Sequence, residues 1–116
     1  LRTPDEILGE LAESEWVEAA ILYRLDGEII SLKISREGYS ILGVLHWMER
    51  QVKHVLRVIE MEGLENVIYT FEKNKVIFYP ASKSTVLAVI TEVGVHQQLL
   101  MMEIIKAIES IRSYMR

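Results

Sequence analysis

Through the middle of the chain Ile41, Leu45, Met48, Val52, Val55 and Ile59 recur at spacings of four and three. Only an α-helix brings residues so spaced onto one face, and the pattern predicts a helix over residues 38–61. At 1.5 Å per residue such a helix is roughly 36 Å long, so the rest of a small domain must be arranged around it. The segments on either side carry a different period. Residues 16–25 and 28–34 alternate as strands around Asp26-Gly27, a dipeptide favoured in two-residue type I′ hairpins because both positions take positive φ. That turn sets Tyr23 opposite Ile30, Ile21 opposite Leu32 and Ala19 opposite Ile34, gathering one apolar side. Beyond the helix come residues 67–71, a break at Lys73-Asn74, residues 76–79, a loop cluster over 80–84, and a β-branched run over 85–93. Helical signals stand at both ends. Thr3-Pro4-Asp5-Glu6 is a capping box with Pro at the first helical position, followed by Ile7, Leu8, Leu11 and Ala12. After Gly94, residues 95–115 return to helical spacing through Leu100, Met101, Ile104, Ala107, Ile108 and Ile111. The order is helix, strand, strand, helix, strand, strand, strand, helix, with no internal repeat.

A chain of 116 residues suits one core, and a single domain is expected over residues 1–116. There is no cysteine, which excludes disulfides, thiolate catalysis and cysteine-ligated zinc and fits a reducing, cytoplasmic setting. No apolar run reaches the roughly 20 residues of a membrane span, and the opening residues lack the basic-then-apolar order of a signal peptide, so no direct membrane insertion is expected. The net charge is −4, with 13 Lys and Arg scattered among 17 acids, so no basic stripe is available to a phosphate backbone and nucleic acid is not an expected partner.

Catalytic signatures are missing. There is no G-x-S-x-G elbow, no S-x-x-K, and neither a phosphate-binding loop nor a dinucleotide fingerprint, so the chain is not expected to be an enzyme or to hold a nucleotide or other cofactor. His46 and His54 stand eight residues apart on the long helix, about 12 Å along its axis, too far for one zinc to bridge at roughly 2 Å from each, so no metal is expected. Neighbouring acids such as Glu13 and Glu15, or Glu60 and Glu62, read as solvated charge.

Several pieces match a known pattern in order and spacing over nearly the whole chain: the leading helix Glu6-Ile7-Leu8-Gly9-Glu10-Leu11-Ala12, the hairpin at Asp26-Gly27, the long helix, and Val86-Leu87-Ala88-Val89-Ile90-Thr91 running into Gly94 and the last helix. In these the chain resembles the roadblock (dynein light chain) domain family, in particular its archaeal and bacterial single-domain members. The resemblance implies an α+β sandwich of profilin-like topology, αββαβββα: a five-stranded antiparallel sheet with the long helix on one face and the N- and C-terminal helices on the other. It also implies a protein-binding module that forms a homodimer, or pairs with a paralogous roadblock chain, and regulates or scaffolds a Ras-like small GTPase. One departure stands at the opening of the last helix, where the family pattern has Asn and Gly and this chain has His96 and Gln98.

A partner is also suggested by the long helix itself. On a wheel of about 100° per residue, Ile41, Leu42, Leu45, Met48, Val52, Leu56 and Ile59 cover roughly 120°, the stripe a helix lays on a sheet. Val44, Trp47, Val55 and Val58, with Gln51 among them, widen the apolar arc by about another 100°. Leaving that flank wet would forgo several kcal/mol at about 1.5–3 kcal/mol per Val- or Leu-sized side chain. A terminal helix of the same chain or a second copy could cover it. The second arrangement places Val44, Trp47, Gln51, Val55 and Val58, together with Val67, Tyr69 and Phe71 of an edge strand, at a dimer interface. Trp47, Arg50, His54 and Arg57, on the outer side of the helix, are the candidate partner-binding residues, since Trp and Arg dominate binding hot spots. Competing readings are a small-molecule sensor, with a pocket between sheet and helices, and a structural subunit without nucleotide-dependent switching.

Overall fold

Thr3 begins the first helix as the capping box requires. Its hydroxyl accepts from the Glu6 N–H at 3.3 Å, and the Glu6 carboxylate accepts from the Thr3 N–H at 3.3 Å. The computed structural model describes residues 2–35 and 39–115. Eight elements follow in order: α1 (Pro4–Ala12), β1 (Val17–Arg24), β2 (Ile29–Ile34), α2 (Tyr39–Glu62), β3 (Val67–Thr70), β4 (Asn74–Pro80), β5 (Thr85–Glu92) and α3 (Gln97–Tyr114). Gly38, where the helical period was expected to start, lies outside the described residues.

The strands form one antiparallel sheet in the order β2-β1-β5-β4-β3. β1 and β5 are buried along all but their last residue, which is why they read as nearly continuous apolar runs. Ile7, Leu8, Leu22, Ile77, Leu100 and Ile104 fill the layer between the sheet and α1 and α3. On the other face Ile21, Met48, Leu56, Phe78 and Ile90 pack under α2. This is the α+β sandwich expected, one long helix facing two terminal ones. Among the described residues no helix is long and apolar enough to cross a membrane.

The first hairpin departs from expectation. A type I′ turn needs positive φ at both Asp26 and Gly27, yet among the described residues only Gly27 and Gly63 have it, at 95° and 64°. Gly27 N–H donates to the Arg24 carbonyl at 2.9 Å and Arg24 N–H to the Glu28 carbonyl at 2.8 Å, so the loop is Leu25-Asp26-Gly27, three residues closed by a left-handed glycine. The Asp26 carboxylate stabilises it by pairing with Arg24 and accepting from the Glu28 N–H at 3.1 Å; the Arg24 hydrogen bond, before all else, holds this carboxyl below its usual range. The longer loop slips the pairing by one residue, placing Tyr23 opposite Ile29 and not Ile30. A β-bulge at Ile30 then restores Ile21 opposite Leu32 and Ala19 opposite Ile34, and turns Ile30 into the α1/α3 layer.

Two further details have side-chain causes. β4 starts at Asn74, earlier than the apolar run alone suggests, because its buried amide donates to Glu18 Oε2 at 2.6 Å and to the Thr91 carbonyl at 3.2 Å, tying β4 to β1 and β5. His96 caps α3: its Nδ1 accepts from the Leu99 N–H at 3.5 Å, and its ring centroid lies 6.3 Å from that of Trp16.

Candidate protein-interaction surface

The buried stripe of α2 has the width expected but a different centre. Ile41, Val44, Met48, Val52, Val55, Leu56 and Ile59 are buried, an arc of about 120° that is rotated by about 40° from the one read off the wheel. Val44 and Val55, expected at a dimer interface, lie inside the chain's own core, so no partner can touch them there. Leu42, expected in the core, is exposed. The wheel marks which positions are apolar, whereas the position of the helix over the sheet decides which of them are covered.

What pulls α2 round is β3. The Trp47 indole sits 4.7 Å from the Tyr69 ring and 5.1 Å, edge-on, from the Phe71 ring, and Tyr69 in turn meets Phe78 edge-on at 6.1 Å. Such tilted and edge-to-face pairs contribute about 0.5–1.5 kcal/mol beyond their buried area. The flank of the helix is therefore covered by the aromatic residues of its own edge strand, and neither terminal helix does so, since α1 and α3 lie across the sheet. Cover is partial: Trp47, Gln51, Val58, Val67, Tyr69 and Phe71 are all half-buried. Arg50, His54 and Arg57 project into solvent further round the helix.

β3 is the last strand of the sheet, hydrogen-bonded to β4 alone. Phe71 N–H donates to the Asn74 carbonyl at 2.7 Å, so alternation along the ladder directs the backbone groups of Tyr69 and Val67 toward β4 as well, and those of Ile68 and Thr70 to the open side. The strand has neither a charged residue nor a bulge. Ile68, which the sequence reading did not single out, is 46% exposed on the face away from α2. Its chemical meaning is a free edge, apolar on both sides, next to a half-covered aromatic cluster: a surface suited to pairing, without nucleophile, base or cation site. Among the described residues no three His, Cys, Asp or Glu side chains gather as metal ligands.

The family model described as AF0774-like protein matches residues 4–105. No curated protein matches the chain. Among solved structures, a Roadblock/LC7 domain from Streptomyces avermitilis is 17% identical with a TM-score of 0.73, covering 96% of each chain. MglC from Myxococcus xanthus is 11% identical with a TM-score of 0.77, over 93% of this chain and 95% of that one. The gliding protein MglB from Thermus thermophilus is 12% identical with a TM-score of 0.66, over 96% of this chain and 90% of that one.

Proposed function

The chain belongs to the AF0774-like family and has the roadblock fold, and from that premise we propose that residues 1–116 act as one non-catalytic, cytoplasmic protein-binding module, a dimer that regulates or scaffolds a Ras-like small GTPase. The observation that carries this reading is the β3 edge: four uncharged residues, of which Ile68 and Thr70 turn their backbone groups to the open side, beside the half-covered cluster of Trp47, Tyr69 and Phe71. An unguarded apolar edge favours strand pairing with another chain. Two copies related by a two-fold axis at Tyr69 would pair Ile68 of each with Thr70 of the other through the outward backbone groups, and bring the two α2 helices side by side. Gln51, Val58 and Trp47 would then close against the second copy, which is either the same chain or a paralogous roadblock chain. Arg50, His54 and Arg57 stay outside that contact and are the residues we assign to the GTPase.

Light scattering on the purified chain tests the first half, with a mass of two copies expected and a single-copy mass at micromolar concentration counting against it. Pull-downs with GTP-loaded and GDP-loaded small GTPases test the second. Capture of one nucleotide state is expected, capture indifferent to nucleotide favours a structural subunit, and capture of neither sinks the GTPase link. A specific feature keeps the sensor reading in view: an open groove of about 750 Å³, bordered by Leu64, Tyr79, Met101, Ile105, Ile108 and Arg112. A small-molecule thermal-shift screen would bear on it.

A further inference from the structure

Where α2 faces away from the sheet its charges are sorted by sign. At about 100° per residue from Ile41, the side chains of His46, Arg57, Arg50 and His54 stand at roughly 140°, 160°, 180° and 220°, opposite the buried stripe. They make one ridge, about 16 Å long. All four are exposed, and among the described residues none of them is in an ion pair. No acid shares the ridge, since Glu49 and Glu60 stand with Lys53 on the flank toward β2, and Trp47, Gln51 and Val58 occupy the flank toward β3. Three or four residues either side of Arg50 or His54, every titratable side chain is a base: His46, Arg50, Lys53, His54 or Arg57. Like charges at these spacings oppose helix formation. In a chain at −4 the ridge is therefore a local reversal of sign that folding itself does not favour.

The neighbouring elements meet α2 on its flanks and leave the ridge open. The β1–β2 turn touches Lys53, where a Cβ on Gly27 would come within 3.0 Å of its Cγ; of the acids in that turn, Asp26 pairs with Arg24 and Glu28 is exposed. On the other flank β3 offers the rings of Tyr69 and Phe71, with Glu72 and Lys73 exposed in the turn beyond. Charge chooses the occupant. Resting on the reading of α2's outer side as the partner-binding side, we propose that the ridge receives a carboxylate-rich face of another protein, and that His46 and His54 tighten the contact as pH falls. Imidazole is the side chain whose charge changes between pH 8 and 5, and a facing carboxylate favours its charged form, so binding to an acidic surface takes up protons. A bilayer or a nucleic acid would present continuous negative charge to the whole molecule, its 17 acids included. A protein face can match the four bases alone.

The probes are two designed helical peptides of about 18 residues, long enough at 1.5 Å per residue to span the ridge, one with a stripe of glutamates and the other with glutamines in their place. Fluorescence anisotropy with the full chain at low salt should show the glutamate peptide binding at least ~10-fold more tightly at about pH 8, and at least ~5-fold more tightly again at about pH 6. The double variant His46→Gln/His54→Gln should lose the gain at lower pH and keep the affinity at higher pH, whereas Arg50→Gln/Arg57→Gln should lose at least ~10-fold at both. His96→Asn, which removes the third histidine but keeps a cap on α3, and Lys106→Gln across the sheet should bind as the wild type does. Circular dichroism identifies any variant that has failed to fold, and all the ridge substitutions fall at exposed positions. Equal binding of the two peptides would overturn the proposal, as would a pH gain that survives in the folded double-histidine variant. Tighter binding to vesicles of about 30% phosphatidylserine in phosphatidylcholine, or to duplex DNA, than to the glutamate peptide would also overturn it. So would a mass of the free chain that rises at about pH 6 through the same histidines, since a second copy, with Glu6, Glu10 and Glu13 exposed on its α1, would then be the occupant. Capture of a GTPase indifferent to pH and to these histidines sinks the inference and leaves the GTPase reading standing; glutamate-peptide binding as expected, with no GTPase captured, does the reverse.

Discussion

At one edge of the sheet β3 runs four residues with neither a charge nor a bulge, whereas at the other β2 runs six with both. Their side chains reverse the contrast. Val67 and Tyr69 of β3, with Phe71 just beyond it, are sheltered by α2, while Ile29, Leu32 and Ile34 of β2 are exposed. One edge is thus open in its backbone and partly closed in its side chains, and the other is guarded in its backbone and open in its side chains. The side-chain contrast follows from where α2 lies, and it teaches that an open backbone edge and an open side-chain face need not coincide: β3 offers the first and β2 the second.

The comparison breaks most sharply at Ile68. Its N–H points away from β4, so Ile68→Pro leaves the internal ladder whole and removes a donor that only a second copy would use. Light scattering across a dilution series should show self-association weakened at least ~100-fold, about 2.7 kcal/mol, whereas Leu32→Pro on β2 should leave the mass unchanged. Next comes Trp47→Ala. Loss of the half-buried indole should destabilise the chain by about 2–3 kcal/mol in urea titration, below the 3–5 of a fully buried Trp, and should weaken pairing at β3 besides. An unchanged midpoint would mean that α2 is not held to β3 by this cluster.

The smallest effect reports on the β2 side. Tyr23, opposite Ile29, is pushed up by burial from 10.0 to about 12. The folded chain therefore favours the neutral phenol; this contribution is complete below pH 10 and is lost as pH rises toward 12. Tyr23→Phe should flatten that alkaline loss by about 1 kcal/mol in denaturation curves. No difference between variant and wild type would mean that this margin of the sheet admits water as far as β1.

Much of the architecture was legible because its signals are local. Thr3-Pro4-Asp5-Glu6 starts a helix wherever it stands, and the period of Ile41 to Ile59 can be satisfied only by one. The order of elements resembles the roadblock pattern, and the sheet is the five-stranded antiparallel one which that resemblance implies. What could not be read was which side of each element meets which neighbour. Asp26-Gly27 serves a two-residue and a three-residue loop equally well, because a left-handed Gly27 is common to both and the choice rests on the pairing of Arg24 with Glu28. Val44 and Val55 lie on one side of Ile41 on the wheel and Leu42 on the other, all of them apolar, and it is the aromatic residues at β3 that draw the first two onto the sheet and leave the third in water. Likewise Ile29, Leu32 and Ile34 resemble any half-buried strand, and no local pattern announces that α2 leaves them exposed.

The bulge at Ile30 has an evolutionary corollary. Pairs before it are offset by one position from pairs beyond it, so the hairpin stores a spare residue as slack. A deletion in the loop at Leu25 can be taken up by straightening Ile30 into the ladder, with Leu32 and Ile34 still opposite Ile21 and Ala19. The tip of this hairpin can accordingly change length between relatives without rethreading the rest of β2.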